Sequence, residues 1–249
     1  MAALTHKLWF SLLHQRPYKG TEANYPVVLE VPGIKALENN HEVILTELNQ
    51  YLQQFVFESQ FNTTMVETPK SWKVRSLRVW GVEMYEIQKH FPETVKLLSG
   101  IDGVINIGFN LLEPGAKIKP HFGDTNAIIR CHLGLIIPEE NENCAIKVNN
   151  EVKNWQQGKA IGFTDAYEHE AWNKTQKQRI ILLFDILKPE YISRKNKICG
   201  VIIASLYLQR LGNVFPFMYT VNPVWLWPLT YPVSFIMKLL IPIRNRLKH

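Results

Sequence analysis

Apolar positions fall into two textures along this chain. Over residues 36–55 they recur at helical spacing: Ile44, Leu48 and Leu52 lie four apart, and Leu45, Tyr51 and Phe55 widen the stripe. That pattern predicts an amphipathic helix. A shorter helix is expected at Pro92–Ser99, with proline in its first turn and Gly100 as the stop. Between them, Ser71–Glu86 alternates Val and Leu around tryptophans and reads as one or two strands. Residues 1–36, punctuated by Pro17, Gly20, Pro26, Pro32 and Gly33, read as an irregular lead-in.

From Val104 the texture changes. Val104–Leu112, Ile128–Ile137, Ala145–Val148, Lys159–Phe163 and Arg179–Leu187 are short runs of Ile, Val, Leu and Phe. Turn residues separate them, as at Glu113-Pro114-Gly115 and Asn149-Asn150. Short strands at this spacing without intervening helices predict an antiparallel sandwich or jelly roll. The chain therefore divides into a helical and strand-bearing part at 1–103, a β core at 104–190 and a tail at 191–249.

Composition changes this picture in one place. The 249 residues carry a net charge of +6, enough length for one sizeable domain with its own core. Tyr191–His249 contains no Asp or Glu but eight basic residues, Arg194, Lys195, Lys197, Arg210, Lys238, Arg244, Arg246 and Lys248. Subtracting those eight from +6 leaves residues 1–190 at −2. The basicity belongs to an apolar, proline-rich tail, which does not suit a nucleic-acid groove. Pro223, Pro228, Pro232 and Pro242 with Lys238 argue against a clean helix over residues 222–243, and Ile198–Leu208 is too short to span a membrane. Trp225, Trp227 and Tyr231 beside basic residues fit peripheral membrane contact; packing on the β core or an oligomer interface are the alternatives. Cys131, Cys144 and Cys199 form no CxxC, and the first residues lack a small-residue cleavage site. A cytoplasmic protein, peripheral at a membrane through 191–249, is the expectation.

The chemistry gathers around two histidines. His121 follows the turn Pro114-Gly115, and His169 is read as lying in the loop between the strand ending near Phe163 and the one opening at Arg179. Arg130 follows the first histidine by nine residues and Arg179 the second by ten. Two imidazoles suit a first-row divalent metal, and two guanidiniums suit a dicarboxylate that chelates it. Together they suggest an iron-dependent oxygenase using 2-oxoglutarate. A buried arginine is more ordinarily explained by an internal salt bridge, and a lone histidine by the core. By the period-two rule Arg130 and His132 share a face of their strand.

The order of Phe91-Pro92-Glu93-Thr94, Glu113-Pro114-Gly115, Pro120-His121-Phe122-Gly123, Arg130-Cys131-His132-Leu133-Gly134-Leu135, Trp155 with Gly158-Lys159, and His169-Glu170-Ala171-Trp172-Asn173 resembles the aspartyl/asparaginyl β-hydroxylase family. The resemblance implies a double-stranded β-helix (jelly roll, cupin-like) core and Fe(II), 2-oxoglutarate and O2 as the chemistry. It implies that His121 and His169 bind iron. Arg130, His132 and Arg179 would hold 2-oxoglutarate, with Asn110 where the family commonly has serine. The usual iron-binding carboxylate would stand at Gly123, which has none. The family is similar in leaving water there, which Asp165 would orient from behind; as a residue alone, Asp165 reads equally as part of a turn. Expected substrates are an aspartyl or asparaginyl residue or related amino acid, hydroxylated at its β-carbon, or the acyl chain of a membrane lipid. A catalytically silent jelly-roll binding module is the reading from another class.

Overall fold

The computed structural model describes residues 7–11, 17–221 and 223–246. Two antiparallel sheets face each other. The larger contains β1 (Glu58–Ser59), β2 (Trp72–Val79), β3 (Val82–Glu83), β4 (Val104–Leu112), β6 (Ile128–Ile136), β9 (Ala160–Phe163) and β11 (Arg179–Leu187), in the order β1-β2-β4-β11-β6-β9 with β3 on β2. The smaller contains β5 (Ala116–Phe122), β7 (Cys144–Val148), β8 (Glu151–Asn154) and β10 (Glu168–Asn173), in the order β5-β10-β7-β8. This is the mainly β jelly roll that the strand spacing predicts.

Alternation along the central strands decides what each face receives. Phe109 and Leu111 of β4, Cys131, Leu133 and Leu135 of β6, and Ile180, Leu182 and Phe184 of β11 face helices. Those helices are α1 (Ile34–Asn39), α2 (His41–Leu52) and α4 (Pro92–Ser99), which bury Ile34, Leu37, Ile44, Leu48 and Leu98 against the sheet. The single helix expected at 36–55 is thus two, broken at Asn40. A one-turn α3 (Tyr85–Gln88) follows β3. The intervening residues of the same strands, Asn110, Arg130, His132, Arg179 and Asp185, therefore point into the barrel. Burial of both faces explains why these strands read as nearly continuous apolar runs.

Asn173 ties the site-bearing strands together. Its side-chain amide donates to the carbonyls of Leu112, Glu113 and Lys177, and its oxygen accepts from the Thr175 amide and hydroxyl. The end of β10 is thereby fixed to the β4–β5 turn and to the approach of β11. Asn173→Ala leaves these buried groups unpartnered and is expected to destabilise by about 3 kcal/mol, read as a lower urea midpoint at constant m-value.

The tail forms helices where its prolines suggest otherwise. α5 (Lys195–Val214) buries Ile198, Cys199, Val201 and Ile202 against Trp80, Val82, Ile105, Ile128 and Leu187 at one end of the barrel. α6 (Pro223–Arg246) packs back on α5. Pro223 sits in the first turn, where no N–H is missed. Pro228 and Pro232 lie exposed, so the carbonyls they displace one turn earlier are on the side open to water. Among the described residues no helix is long and apolar enough to cross a membrane.

Candidate active site

His121 and His169 are directly opposed partners on β5 and β10, and their ring centroids are 4.2 Å apart. His169 therefore lies in a strand, not in the loop that the sequence suggested; Glu168–Asn173 pairs on both edges, with β5 and β7. Strand pairing alone brings these two imidazoles together across 48 residues of chain.

Each ring is held in the same tautomer. His121 Nδ1 lies 2.8 Å from the Lys119 carbonyl and His169 Nδ1 2.9 Å from the Tyr167 carbonyl. A carbonyl only accepts, so both Nδ1 atoms carry the proton and both Nε2 atoms keep a lone pair. Burial, with the neighbouring histidine as a further cause at His121, pushes the His121 pKa down to about 3, and burial pushes that of His169 to about 4. The rings are neutral at physiological pH and ready to ligate. A carbonyl behind each Nδ1–H is the support that metal-binding histidines ordinarily have.

Asp165, fully buried, stands beside this pair. Its Oδ1 is 3.7 Å from His169 Nε2 and pairs with Arg130 Nη1 at 2.6 Å. Its carboxylate fills the space beside Gly123: a Cβ there would meet Asp165 Oδ2 at 1.9 Å. The carboxylate absent from position 123 is replaced by one arriving from the opposite strand connection. It caps the local chain as well, accepting from the Asp124 amide at 3.2 Å. Burial and the Asp165 charge push the Asp124 pKa up to about 7.

Arg130 differs from the sequence expectation. Its Nε and Nη2 bond both oxygens of Asp185, at 2.7 and 2.9 Å, and Nη1 faces Asp165. Arg130 and Asp185 are cross-strand partners on β6 and β11. Burial opposes the Arg130 charge, but the two carboxylates outweigh it and hold the guanidinium protonated above its ordinary range. This is the internal salt bridge by which a buried arginine is ordinarily balanced, so Arg130 is not a free anion grip like Arg179.

Arg179 has no such balance. It is 2% exposed, and its Nε and Nη1 have no hydrogen-bond partner. Burial alone lowers its pKa to about 10. Its guanidinium lies 4.6 Å from the centroid of the Trp155 ring, which supplies a cation–π contact but no counter-charge. Trp155 also donates from Nε1 to His132 Nδ1 at 3.2 Å. His132 is neutral, its pKa driven well down by burial and by Arg179, so its Nε2 carries a proton. That donor too is buried and unpartnered. Phe163 packs against both His132 and His169, with ring centroids 5.1 Å away in each case.

Among the described residues five buried side-chain nitrogen or oxygen atoms lack a hydrogen-bond partner; three belong to His132 and Arg179, and a fourth, Asp165 Oδ1, is met by the Arg130 guanidinium. Orphaned groups are rare in folded proteins, and their convergence marks a ligand site. The set fits a metal between two imidazole lone pairs, an acceptor for metal-bound water, and donors for an anion. No three His, Cys, Asp or Glu side chains of the described residues form a metal-binding group. Asn110 lies on the same inner surface, and its Oδ1 accepts from Trp72 Nε1 at 2.7 Å, leaving the NH2 group as a donor.

Trp155 and Asp185 do not emerge from the sequence as site residues. Asp185 carried a usable signal, being a charge inside an apolar strand like Arg130. Trp155 stands in the sequence only as part of the family resemblance, with nothing to mark its contacts with Arg179 and His132. A cavity of about 690 Å³ opens at His121, Asp124, Arg130 and Asn110 and continues past Trp72, Val74, Val79 and Trp80 to Ile203, Leu206 and Tyr207 of α5 and Met237 of α6.

Comparison with known proteins identifies the family. The family model for aspartyl/asparaginyl beta-hydroxylase matches residues 38–189. The ornithine lipid ester-linked acyl 2-hydroxylase of Rhizobium tropici is 37% identical over 166 residues, covering 64% of this chain and 58% of that protein. The aspartyl/asparaginyl beta-hydroxylase of Mus musculus is 37% identical over 173 residues, covering 66% of this chain and 22% of that protein. Less than two thirds of either relative is thus spanned. Among solved structures, a prolyl-4-hydroxylase from Pseudomonas putida aligns over 65% of this chain and 95% of its own, with 12% identity and a TM-score of 0.45. On the strength of a family match over residues 38–189, which spans both sheets and the histidines, arginines and Asp165 of the site, this chain belongs to the aspartyl/asparaginyl beta-hydroxylase family.

Proposed function

We propose that this protein is an Fe(II)- and 2-oxoglutarate-dependent hydroxylase whose substrate is the acyl chain of a membrane lipid. The observation that carries the co-substrate is the buried, uncompensated Arg179 beside the orphan His132 Nε2–H. A dicarboxylate is the ligand class that answers a buried cation and neighbouring donors while leaving its other end for a metal.

His121 and His169 would hold the iron through Nε2. Bound iron, with 2-oxoglutarate and O2, supplies oxidative decarboxylation to succinate and hydroxylation of a substrate C–H bond. Arg179 neutralises one carboxylate, and His132 and the Asn110 NH2 donate to the co-substrate. Trp155 holds Arg179 and His132 in place. Asp165 would accept from water held beside the histidine pair, and Arg130, itself gripped by Asp185, fixes the Asp165 carboxylate. Two of the five N–H donors of Arg130 remain beyond its three contacts, and it lines the cavity.

The cavity favours lipid over the aspartyl or asparaginyl substrate. Relatives named for either chemistry are 37% identical to this chain, so overall identity does not separate them. The cavity supports the lipid reading: Trp72, Val74, Val79, Trp80, Ile203 and Leu206 offer a hydrocarbon chain an apolar run of wall, among the polar groups of Gln60, Asn62, Ser76, Asn106, Gln209 and Arg210.

Incubation with Fe(II), 2-oxoglutarate and O2 should release succinate and add one oxygen atom to an acyl lipid, read by mass spectrometry. His121→Ala and His169→Ala should reduce both to background with the fold intact. Hydroxylation of an Asp- or Asn-containing peptide and of no lipid would select the amino-acid reading. Failure of wild-type protein to bind 2-oxoglutarate would leave the silent binding module.

A further inference from the structure

We infer that the outer face of the α5–α6 hairpin docks on an anionic lipid bilayer, with α6 lying in the plane of the interface. α6 has two apolar sides, and α5 covers one. Thr230 is buried there, and Gly200 of α5 admits the chain at Ser234, whose carbonyl oxygen a Cβ at 200 would meet at 2.7 Å. On the opposite side Trp225, Pro228, Pro232, Phe235, Leu239 and Ile243 recur at three- and four-residue spacing, and all are exposed. Trp225 is 75% and Phe235 63% exposed. That stripe is continuous over the helix and contains no charged residue. A helix apolar on both sides is stable only with cover on both, and an exposed patch of this kind marks an interaction surface.

Charge selects the occupant. The chain from Tyr191 onward has eight Lys and Arg and no acid. A second copy would bring no acid from this segment to meet those bases, whereas anionic lipid headgroups complement them. Trp225 and Tyr231 suit the headgroup boundary, where amphipathic rings settle. With no described helix able to cross a membrane, α6 lies along the surface.

The same hairpin walls the cavity. Ile203, Leu206 and Tyr207 of α5 and Met237 of α6 line it, and the Arg210 guanidinium sits 5.1 Å from the Phe61 ring centroid at that end. The docking face and the cavity wall are thus separated by about one helix diameter, ~10 Å. This delivery of substrate rests on the lipid reading above; the docking itself does not.

The test is flotation of the full chain with phosphatidylcholine vesicles, with and without phosphatidylglycerol. Wild-type protein should float with the anionic vesicles and much less with phosphatidylcholine alone. Phe235→Asp combined with Leu239→Asp should weaken flotation roughly tenfold or more, with helicity and 2-oxoglutarate binding in solution unchanged. Equal flotation of the variant and wild type, or none with either vesicle, would overturn the inference. So would a wild-type dimer that the same substitutions disperse without any flotation, which would assign the face to a second copy. Flotation of a protein that fails to turn over 2-oxoglutarate would sustain docking and sink the catalytic reading alone.

Discussion

Arg179→Met is expected to stabilise the ligand-free protein and to abolish its use of 2-oxoglutarate. The wild-type guanidinium is buried without a carboxylate, with two orphan nitrogens and a pKa lowered to about 10 by loss of water. Replacing a buried, uncompensated charge by an apolar side chain of similar length is worth about 1–4 kcal/mol, less what the Trp155 ring returns by its contact with the cation. The co-substrate, by contrast, loses its one buried counter-charge. Loss of a buried hydrogen-bonded ion pair on binding costs about 2–5 kcal/mol, on the order of 100-fold in affinity. Thermal unfolding separates the two effects. Wild-type Tm should rise when Fe(II) and 2-oxoglutarate are added anaerobically, since a ligand at 100 times its Kd contributes about 2.7 kcal/mol. The variant should start higher and not move. A variant that starts lower, or that binds 2-oxoglutarate within about threefold of wild type, would mean that Arg179 is a structural cation and that the anion sits elsewhere.

The contrast between Arg179 and Arg130 shows where sequence reasoning stops. Both are single charges in apolar strands, and the period-two rule places both inside the barrel. Which of them is spare depends on Asp185, 55 residues from Arg130 in sequence but its direct partner across β6 and β11. Cross-strand register is not written in either strand alone. The central strands were legible for the opposite reason. Val104–Leu112 and Arg179–Leu187 are buried on both faces, so local composition alone marks their ends. Strands of the smaller sheet are half-polar and were harder to see. Ala116–Phe122 carries Lys117, Lys119 and Pro120, tolerable because β5 is an edge strand. Glu168–Asn173 alternates Glu with buried His169, Ala171 and Asn173, a strand pattern masked by its charges. Glu170 is largely covered and paired with Lys117 and Lys147. The tail was misread because proline was weighed as a helix breaker without regard to face.

Gly123→Asp, the substitution that would restore a carboxylate two residues after the first histidine, is expected to destroy the site instead of completing it. A side chain at 123 collides with three atoms of one residue: Asp165 Oδ2 at 1.9 Å, Cγ at 2.0 Å and the backbone oxygen at 2.5 Å. Asp165 Oδ2 is tied to the Asp124 amide, and the Asp165 carbonyl accepts from the Gly123 amide at 2.8 Å, so neither can yield without breaking a bond. Gly123→Ala tests the space without adding charge and should cost about 3 kcal/mol or more. Gly123→Asp adds a third acid beside Asp165 and Asp124, the latter already pushed up to about 7, and should cost more. Trimming the obstacle with Asp165→Ala should restore only part of this loss, because the backbone clash persists and Arg130 loses a counter-charge. Urea unfolding of the two single variants and of the Gly123→Ala, Asp165→Ala double variant closes the cycle. Full additivity would show that Gly123 and Asp165 act independently, and would remove the argument that one carboxylate stands in the place of the other. Strong coupling would mean that the space a carboxylate at 123 would need is already taken by the Asp165 carboxylate, which arrives from the other side of the barrel.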